Sequence, residues 1–94
     1  MDVYETPKCE TTQSFSAAFE AVKVGKKAAR KGWNGKGIFI EAQFPDDHSK
    51  MSGPYLFIDT TGLQTDNPAA PKVRTPWLPS QTDIMADDWL ILAL

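Results

Sequence analysis

The chain has 94 residues, of which 41% are hydrophobic, and this size and composition fit one small globular domain rather than a disordered segment. Its net charge of −2 argues against a protein that binds DNA or RNA mainly through contacts with the phosphates. A single cysteine, Cys9, excludes an internal disulfide, and a single histidine excludes a conventional Cys/His zinc site.

The sequence carries no sign of a membrane segment. No apolar run approaches the length of a membrane span, and the first residues are polar and acidic rather than those of a signal peptide. We therefore expect a soluble cytoplasmic protein. Residues 1–13 show no hydrophobic period and are predicted to form an N-terminal arm, and residues 14–94 are predicted to form a single domain.

A short amphipathic helix is predicted directly after the arm. Ser14 suits its N-cap, because a serine hydroxyl accepts a hydrogen bond from an unpaired amide of the first turn. Gly25 suits the left-handed residue that often ends a helix. The apolar residues between them recur at helical spacing and lie along one face: Phe15, Ala18, Phe19 and Val22.

A hairpin and several short elements follow this helix. Asn34-Gly35-Lys36-Gly37 supplies the positive φ angles of a hairpin turn, and Pro76 restricts its strand to an edge of the sheet. Ser80 and Asp83 match the reciprocal capping pattern at a helix start. The predicted elements are strands at 27–33, 38–44, 55–59, 72–77 and 88–94, a loop at 45–54, a connector at 64–71, and a short helix at 80–86.

These elements predict an α+β fold: an antiparallel sheet of four or five strands, one main N-terminal helix packed on it, and a short helical turn before the last strand. The last strand is apolar on both faces, since Trp89 and Ile91 alternate with Leu90 and Leu92. One helix covers one face of such a sheet, so we expect the other to meet a second copy of the chain. The alternative is a monomer whose long loops fold over the sheet.

The sequence contains few candidate catalytic residues. His48 lies in a polar loop, and Cys9 lies in the predicted arm without a basic partner beyond Lys8. Asp46-Asp47 and Asp87-Asp88 are sequence neighbours whose side chains point to opposite faces in an extended chain, so they are predicted to be solvated charges rather than carboxylate dyads. No phosphate loop or dinucleotide fingerprint occurs. We expect no enzymatic activity and no cofactor.

The sequence offers more candidate binding residues than catalytic ones. Trp33 and Trp77 each stand at the end of an element, where an indole can stack on a planar base; the alternative is that both are core residues. Trp89, inside the apolar strand, is predicted to be core. The helix start with Ser80, Thr82 and Asp83 offers amides for a phosphate and a carboxylate for ribose hydroxyls or an amino group. The basic residues that suit a pyrophosphate are Arg30, Lys31 and Arg74.

Two motifs carry a resemblance to a known family. Arg30-Lys31-Gly32-Trp33-Asn34-Gly35, together with Ser80-Gln81-Thr82-Asp83 and the later Asp88-Trp89, resembles the second type of Thoeris anti-defence proteins, small proteins of phages and prophages. The resemblance covers about residues 14–92, whereas the loops at 45–54 and 64–71 and the arm carry no recognisable motif.

The resemblance implies a homotetramer that binds the glycocyclic ADP-ribose signal of Thoeris in the cytoplasm of the infected bacterium and holds it intact. For some relatives it implies a separate site for cyclic dinucleotides of the CBASS defence system. Trp33, Asn34, Trp77 and Asp83 match motifs of the family. The resemblance also implies a ligand-binding role for Phe15. The predicted ligand-binding set is Phe15, Arg30, Trp33, Asn34, Trp77, Ser80, Thr82 and Asp83.

Two other function classes fit the same sequence. A nucleotide-signal hydrolase is the enzymatic alternative, and it is distinguished by a cleaved product. A protein-binding inhibitor that docks through its exposed sheet face is the other, and it is distinguished by a monomeric state that leaves that face open.

Overall fold

A computed structural model describes residues 11–33 and 36–92 of the chain. Five strands form one antiparallel sheet in the order β4-β3-β2-β1-β5. The α+β prediction is therefore confirmed. The elements in chain order are α1 (Phe15–Lys23), β1 (Lys27–Arg30), β2 (Phe39–Gln43), β3 (Tyr55–Asp59), β4 (Arg74–Pro76), α2 (Gln81–Met85) and β5 (Trp89–Leu92).

Helix α1 begins and ends where its capping residues predict. The Ser14 hydroxyl accepts a hydrogen bond from the Ala17 amide at 3.3 Å, and Gly25 adopts a φ of 97° just beyond the helix. Ala18 and Val22 are fully buried against the sheet. Helix formation thus follows from local capping together with burial of one apolar face.

The two faces of the sheet have different surroundings. Ala28 lies opposite Ile40 on one side and Ile91 on the other, and this face carries the core beneath α1. Side chains alternate along a strand, so their neighbours point to the other face. That second face, on which the helices of the described chain do not pack, carries half-buried apolar residues. They are Ala29, Phe39, Phe57, Leu90 and Leu92.

Several predicted boundaries change in the structure. The first strand ends at Arg30 rather than at residue 33, because the chain turns and the Lys31 amide donates to the Asp88 carbonyl at 2.9 Å. Gln13, the last residue of the predicted arm, pairs with Trp89 at the free edge of β5. Residues 1–10, Asn34 and Gly35 in the predicted turn, and the last two residues of the predicted final strand lie outside the described residues.

The described helices contain nine and five residues. Within residues 11–33 and 36–92, neither is long and apolar enough to cross a membrane.

Candidate functional site

Three tryptophans meet on the core side of the sheet, and we call them the indole cluster (Trp33, Trp77 and Trp89). The ring centroids of Trp33 and Trp77 lie 5.5 and 6.2 Å from that of Trp89 and 6.4 Å from each other, all with edge-to-face geometry. Trp89 is fully buried, as predicted, and its indole N–H donates to the Asp83 carbonyl at 2.9 Å. Trp33 and Trp77 are half-buried and form the rim of the cluster.

Short backbone bonds place the two rim indoles. The Trp77 amide donates to the Leu56 carbonyl at 3.0 Å, directly after edge strand β4. The Trp33 amide donates to the Arg30 carbonyl at 3.2 Å, in the turn after β1. Phe15, at the start of α1, also packs against Trp89, with ring centroids 5.5 Å apart. The rim indoles are therefore held by the sheet rather than carried on long loops.

An ion-pair network contacts this cluster through Asp83, and we call it the Arg30 network (Arg30, Asp83 and Asp88). Arg30 Nη1 donates to Asp83 Oδ1 at 3.0 Å, and Arg30 Nε donates to Asp88 Oδ1 at 2.9 Å. The exposed side-chain fractions are 17%, 14% and 31% in that order. One guanidinium thus joins the end of β1 to α2 and to the residue before β5.

Asp88 also fixes the turn that leads to Trp33. Its second oxygen, Oδ2, accepts a hydrogen bond from the Gly32 amide at 2.8 Å. A Cβ at position 32 would lie 2.7 Å from that oxygen, so only glycine fits without displacing the carboxylate. The prediction that Asp88 is a solvated charge is therefore wrong. Asp87 is exposed, as predicted.

Asp83 also caps helix α2. Its Oδ2 accepts hydrogen bonds from the Ser80 amide at 3.0 Å and the Ser80 hydroxyl at 2.9 Å, and the Asp83 amide donates back to that hydroxyl at 3.0 Å. The predicted reciprocal capping is confirmed. Both carboxylate oxygens are thus engaged within the chain, so direct contact of Asp83 with a ribose stays a prediction that this geometry does not favour.

Both carboxylates of the Arg30 network are held in the charged form. The hydrogen bond from Arg30 is the main cause that lowers the pKa of Asp88 below its ordinary 3.8, with the Gly32 amide adding to it against the effect of burial. Burial acts against the charged form of Asp83, but hydrogen bonds from Ser80 and Arg30 outweigh it and lower its pKa below 3.8. The hydrogen bonds that Arg30 donates to Asp88 and Asp83 raise the pKa of Arg30 in turn.

An open cleft of about 450 Å³ lies beside this network. Arg30 and Thr82, both in the predicted set, line it. Gln81, Met85 and Ala86 line it as well and were not predicted. Met85 could have been selected from the sequence, because it is an apolar residue in a very short helix whose start the capping motif locates. Its side chain is 78% exposed.

Comparison with known proteins identifies the family. The family model of the Thoeris anti-defense 2-like domain matches residues 13–92. The chain belongs to this family. A curated protein, Thoeris anti-defense 2 of Bacillus phage SP01, is 34% identical over 88 residues, which cover 89% of this chain and 99% of that protein. The resemblance in the sequence motifs is confirmed, and membership in this family supports a phage anti-defence role.

The family match includes all eight residues of the predicted site, and the structure brings six of them into one connected region. Thr82 lies beside them on the cleft, and Asn34 lies outside the described residues. The six that are connected through the indole cluster and the Arg30 network are Phe15, Arg30, Trp33, Trp77, Ser80 and Asp83.

Other candidates from the sequence lie elsewhere. Arg74 pairs with Asp59 at 2.9 Å on the opposite side of the sheet, so the structure does not bring it to the cleft. His48 is exposed in the loop between β2 and β3. Within the described residues there is no group of three or more His, Cys, Asp or Glu side chains placed to hold a metal ion.

The Arg30 network predicts a loss of stability in acid. The folded-state pKa values of Asp83 and Asp88 are lowered, so their contribution is complete above the ordinary value of 3.8 and is lost as pH falls through the lower folded values. We expect the free energy of unfolding to fall from about pH 5 downward. Asp88→Asn should remove about 1–3 kcal/mol at neutral pH and flatten this acid slope.

Urea unfolding between neutral and acidic pH measures both effects. Asp87→Asn is the matched control, because it changes the same charge at the exposed neighbouring residue and should leave stability nearly unchanged. Equal effects of the two substitutions would contradict the assigned role of Asp88.

Proposed function

We propose that this protein counters Thoeris defence by binding its cyclic nucleotide signal, glycocyclic ADP-ribose, in the cytoplasm of the infected bacterium and holding it without cleavage. Family membership and the printed name of the phage SP01 relative support the Thoeris part of the proposal. The observation that carries the binding part is a pair of half-buried rim indoles in the same connected region as Arg30, which lines the open cleft. Sequestration needs affinity and no bond breaking.

The size and lining of the cleft suit a nucleotide. Its volume of about 450 Å³ falls within the roughly 300–1,000 Å³ of typical small-molecule sites. A base stacked on an aromatic ring gains roughly 1–3 kcal/mol, and silencing a signal at nanomolar affinity requires about −12 kcal/mol in total. A rigid cyclic ligand loses little conformational entropy, so two rings and several hydrogen bonds approach this value.

The residues that line the cleft and the two rim indoles, which are not among them, have different roles in this proposal. Trp33 and Trp77 flank the base, and the hydroxyl of Thr82 and the amide of Gln81 meet polar groups of the ligand. Arg30 already donates to two carboxylates of its own chain, so its main role is to hold the site in shape, and it contacts phosphate through its remaining N–H groups. Ser80 and Asp83 support that arrangement through the helix cap, and Asn34 remains a predicted ligand contact.

The cleft is open on one side, and a second copy of the chain is the proposed cover. Leu78 and Met85 are 87% and 78% exposed in the segment that leads into and forms α2. The second face of the sheet also presents a patch of half-buried apolar residues. Burying both surfaces explains an apolar exterior that a monomer would leave in water. We propose the homotetramer that the resemblance implies; a second site for CBASS cyclic dinucleotides stays a prediction.

The hydrolase alternative receives less support from the site. A general acid or base works best with a pKa near the operating pH. Asp83 and Asp88 instead have lowered pKa values and are held by Arg30, so they stay charged and poorly basic at neutral pH. His48, in an exposed loop, is not among the residues that line the cleft.

Binding without cleavage is tested by titrating the protein with glycocyclic ADP-ribose in a calorimeter, then heating the complex and identifying the released nucleotide by mass spectrometry. We expect nanomolar affinity and release of the unchanged nucleotide. Trp77→Ala should weaken binding roughly 5- to 150-fold, because a stacked ring is lost. A cleaved product would favour the hydrolase, and no binding at micromolar concentrations would contradict the proposal.

Two further variants separate binding from folding. Trp77→Phe keeps a ring against Trp89 and should weaken binding by less than Trp77→Ala. Phe44→Ala removes another aromatic ring, 52% exposed and outside the residues that line the cleft, and should bind like the wild type. Thermal unfolding of each variant identifies any loss that reflects unfolding alone.

The oligomeric state is tested by light scattering coupled to size-exclusion chromatography. We expect a tetramer for the wild type and a smaller species for Leu90→Glu, because a charge on the second face of the sheet would be buried without a partner. Ser52→Glu adds the same charge in the exposed loop between β2 and β3 and should remain tetrameric. A wild-type monomer, or a Leu90→Glu tetramer, would contradict this interface.

A further inference from the structure

Asp88 holds two successive amides of the turn that leads to Trp33. Its main-chain carbonyl accepts a hydrogen bond from the Lys31 amide at 2.9 Å, and its side-chain Oδ2 accepts one from the Gly32 amide at 2.8 Å. Asp88 comes directly before β5, whereas Lys31 and Gly32 come directly after β1. The turn is therefore held from the neighbouring strand and not only by its own backbone.

The carboxylate that binds Gly32 has little freedom to move. Its other oxygen, Oδ1, accepts a hydrogen bond from Arg30 Nε at 2.9 Å, and Arg30 is fixed in turn by Asp83. Hydrogen bonds to a charged carboxylate are shorter and stronger than those between neutral groups. The Gly32 amide is thus a point where the Arg30 network binds the main chain directly before Trp33.

The carboxylate, and not the backbone angle, explains the glycine at position 32. Gly25 and Gly37 have positive φ values, and Gly32 is not among the glycines that do. Alanine therefore suits the backbone at position 32. A Cβ there would nevertheless lie 2.7 Å from Asp88 Oδ2, so the carboxylate would have to leave its place between Gly32 and Arg30.

The Trp33 indole and the main chain that carries it are fixed by different contacts. The indole packs edge-on against Trp77 and Trp89. Burial acts against the charged form of Asp83, and a hydrogen bond from the Trp33 side chain is among those that lower the pKa of this carboxyl. The main chain is fixed by the bond from the Trp33 amide to Arg30 and by the bond from Gly32 to the Asp88 carboxylate.

We propose that Asp88 is a positioning residue of the ligand site: through the Gly32 amide it sets where Trp33 stands at the rim, and it thereby controls affinity without touching the ligand. Asp88 lies outside the predicted ligand-binding set and is not among the residues that line the cleft. Both of its carboxylate oxygens are engaged within the chain. The effect on affinity rests on the proposed function, whereas the effect on Trp33 does not.

Two substitutions on either side of one hydrogen bond test the effect on Trp33. Asp88→Ala removes the acceptor and keeps the main-chain bond to Lys31, and Gly32→Ala displaces the same carboxylate without changing any charge. Relaxation of the indole ¹⁵N nuclei, assigned with Trp33→Phe and Trp77→Phe, reports the picosecond-to-nanosecond motion of each ring. We expect both substitutions to increase the motion of Trp33 and to leave Trp77, which is held by β3, nearly unchanged.

Two controls accompany this measurement. Gly53→Ala adds a Cβ in open space, and Asp87→Asn changes the exposed neighbouring charge, so neither should change the motion of either ring. Unchanged motion of Trp33 in both Asp88→Ala and Gly32→Ala, or an equal gain of motion in Trp33 and Trp77, overturns the positioning role.

A double-mutant cycle with glycocyclic ADP-ribose is the second measurement. Gly32→Ala and Asp88→Ala should each weaken binding roughly three- to tenfold, which is part of the stacking contribution of one ring. The double variant should bind like Asp88→Ala alone, because the added methyl group then meets no carboxylate. If the two factors multiply in the double variant, the residues act independently and the proposal is wrong.

A purely stabilising role for Asp88 gives a different pattern. Urea unfolding would then show a lower free energy of unfolding, while the motion of Trp33 and the affinity of the folded protein would stay unchanged, and this result overturns the proposal. If the wild type binds no cyclic nucleotide, the proposed function fails, and the relaxation of Trp33 still decides the positioning role. If Asp88→Ala does not fold, the relaxation of Trp33 in Gly32→Ala carries the test.

Discussion

The guanidinium of Arg30 donates to carboxylates from two other elements, and the geometry of the cleft depends on these bonds. Its partners, Asp83 and Asp88, each have a second task, since one caps α2 and the other holds the Gly32 amide. Removing Arg30 would leave two partly buried carboxylates without their shared cation, which costs far more than losing a surface ion pair. The network therefore specifies a single arrangement of three chain segments.

This arrangement explains how so small a domain builds the proposed ligand site. A chain of this length buries only a limited core, and here that core consists of one helix face, one sheet face and the Trp89 indole. Trp33 and Trp77 extend the core outward rather than standing apart from it. Their inner edges contribute to packing, and their half-exposed outer parts are available for a ligand. Rings that are fixed before binding lose little entropy on binding.

Local patterns in the sequence predicted most of the fold. Ser14, Gly25 and the Ser80–Asp83 capping pair each act over a few residues, so a sequence motif is enough to locate both ends of α1 and the start of α2. Strand β3 was predicted with its observed bounds because turn residues flank an apolar run. The predicted strand from residue 27 was too long, because the bond between Lys31 and Asp88 depends on a contact distant in sequence.

The candidate site was predicted less completely for the same reason. Trp33, Trp77 and Asp83 were selected from motifs, and the structure places them together. Asp88 was missed because its partner, Arg30, lies 58 positions away, and nothing local distinguishes it from the exposed Asp87. Arg74 was selected for its charge, and its pairing with Asp59 across the opposite face follows only from the register of β3 with β4.

The central claim is that two rim indoles and a prebuilt Arg30 network together hold a captured nucleotide. A crystal structure of the protein with bound glycocyclic ADP-ribose tests it most directly. The account predicts the base in stacking contact with Trp33 or Trp77, with Arg30 still within about 3.2 Å of both Asp83 and Asp88. A ligand bound away from both indoles, or an Arg30 released from both carboxylates to bind phosphate, would contradict it.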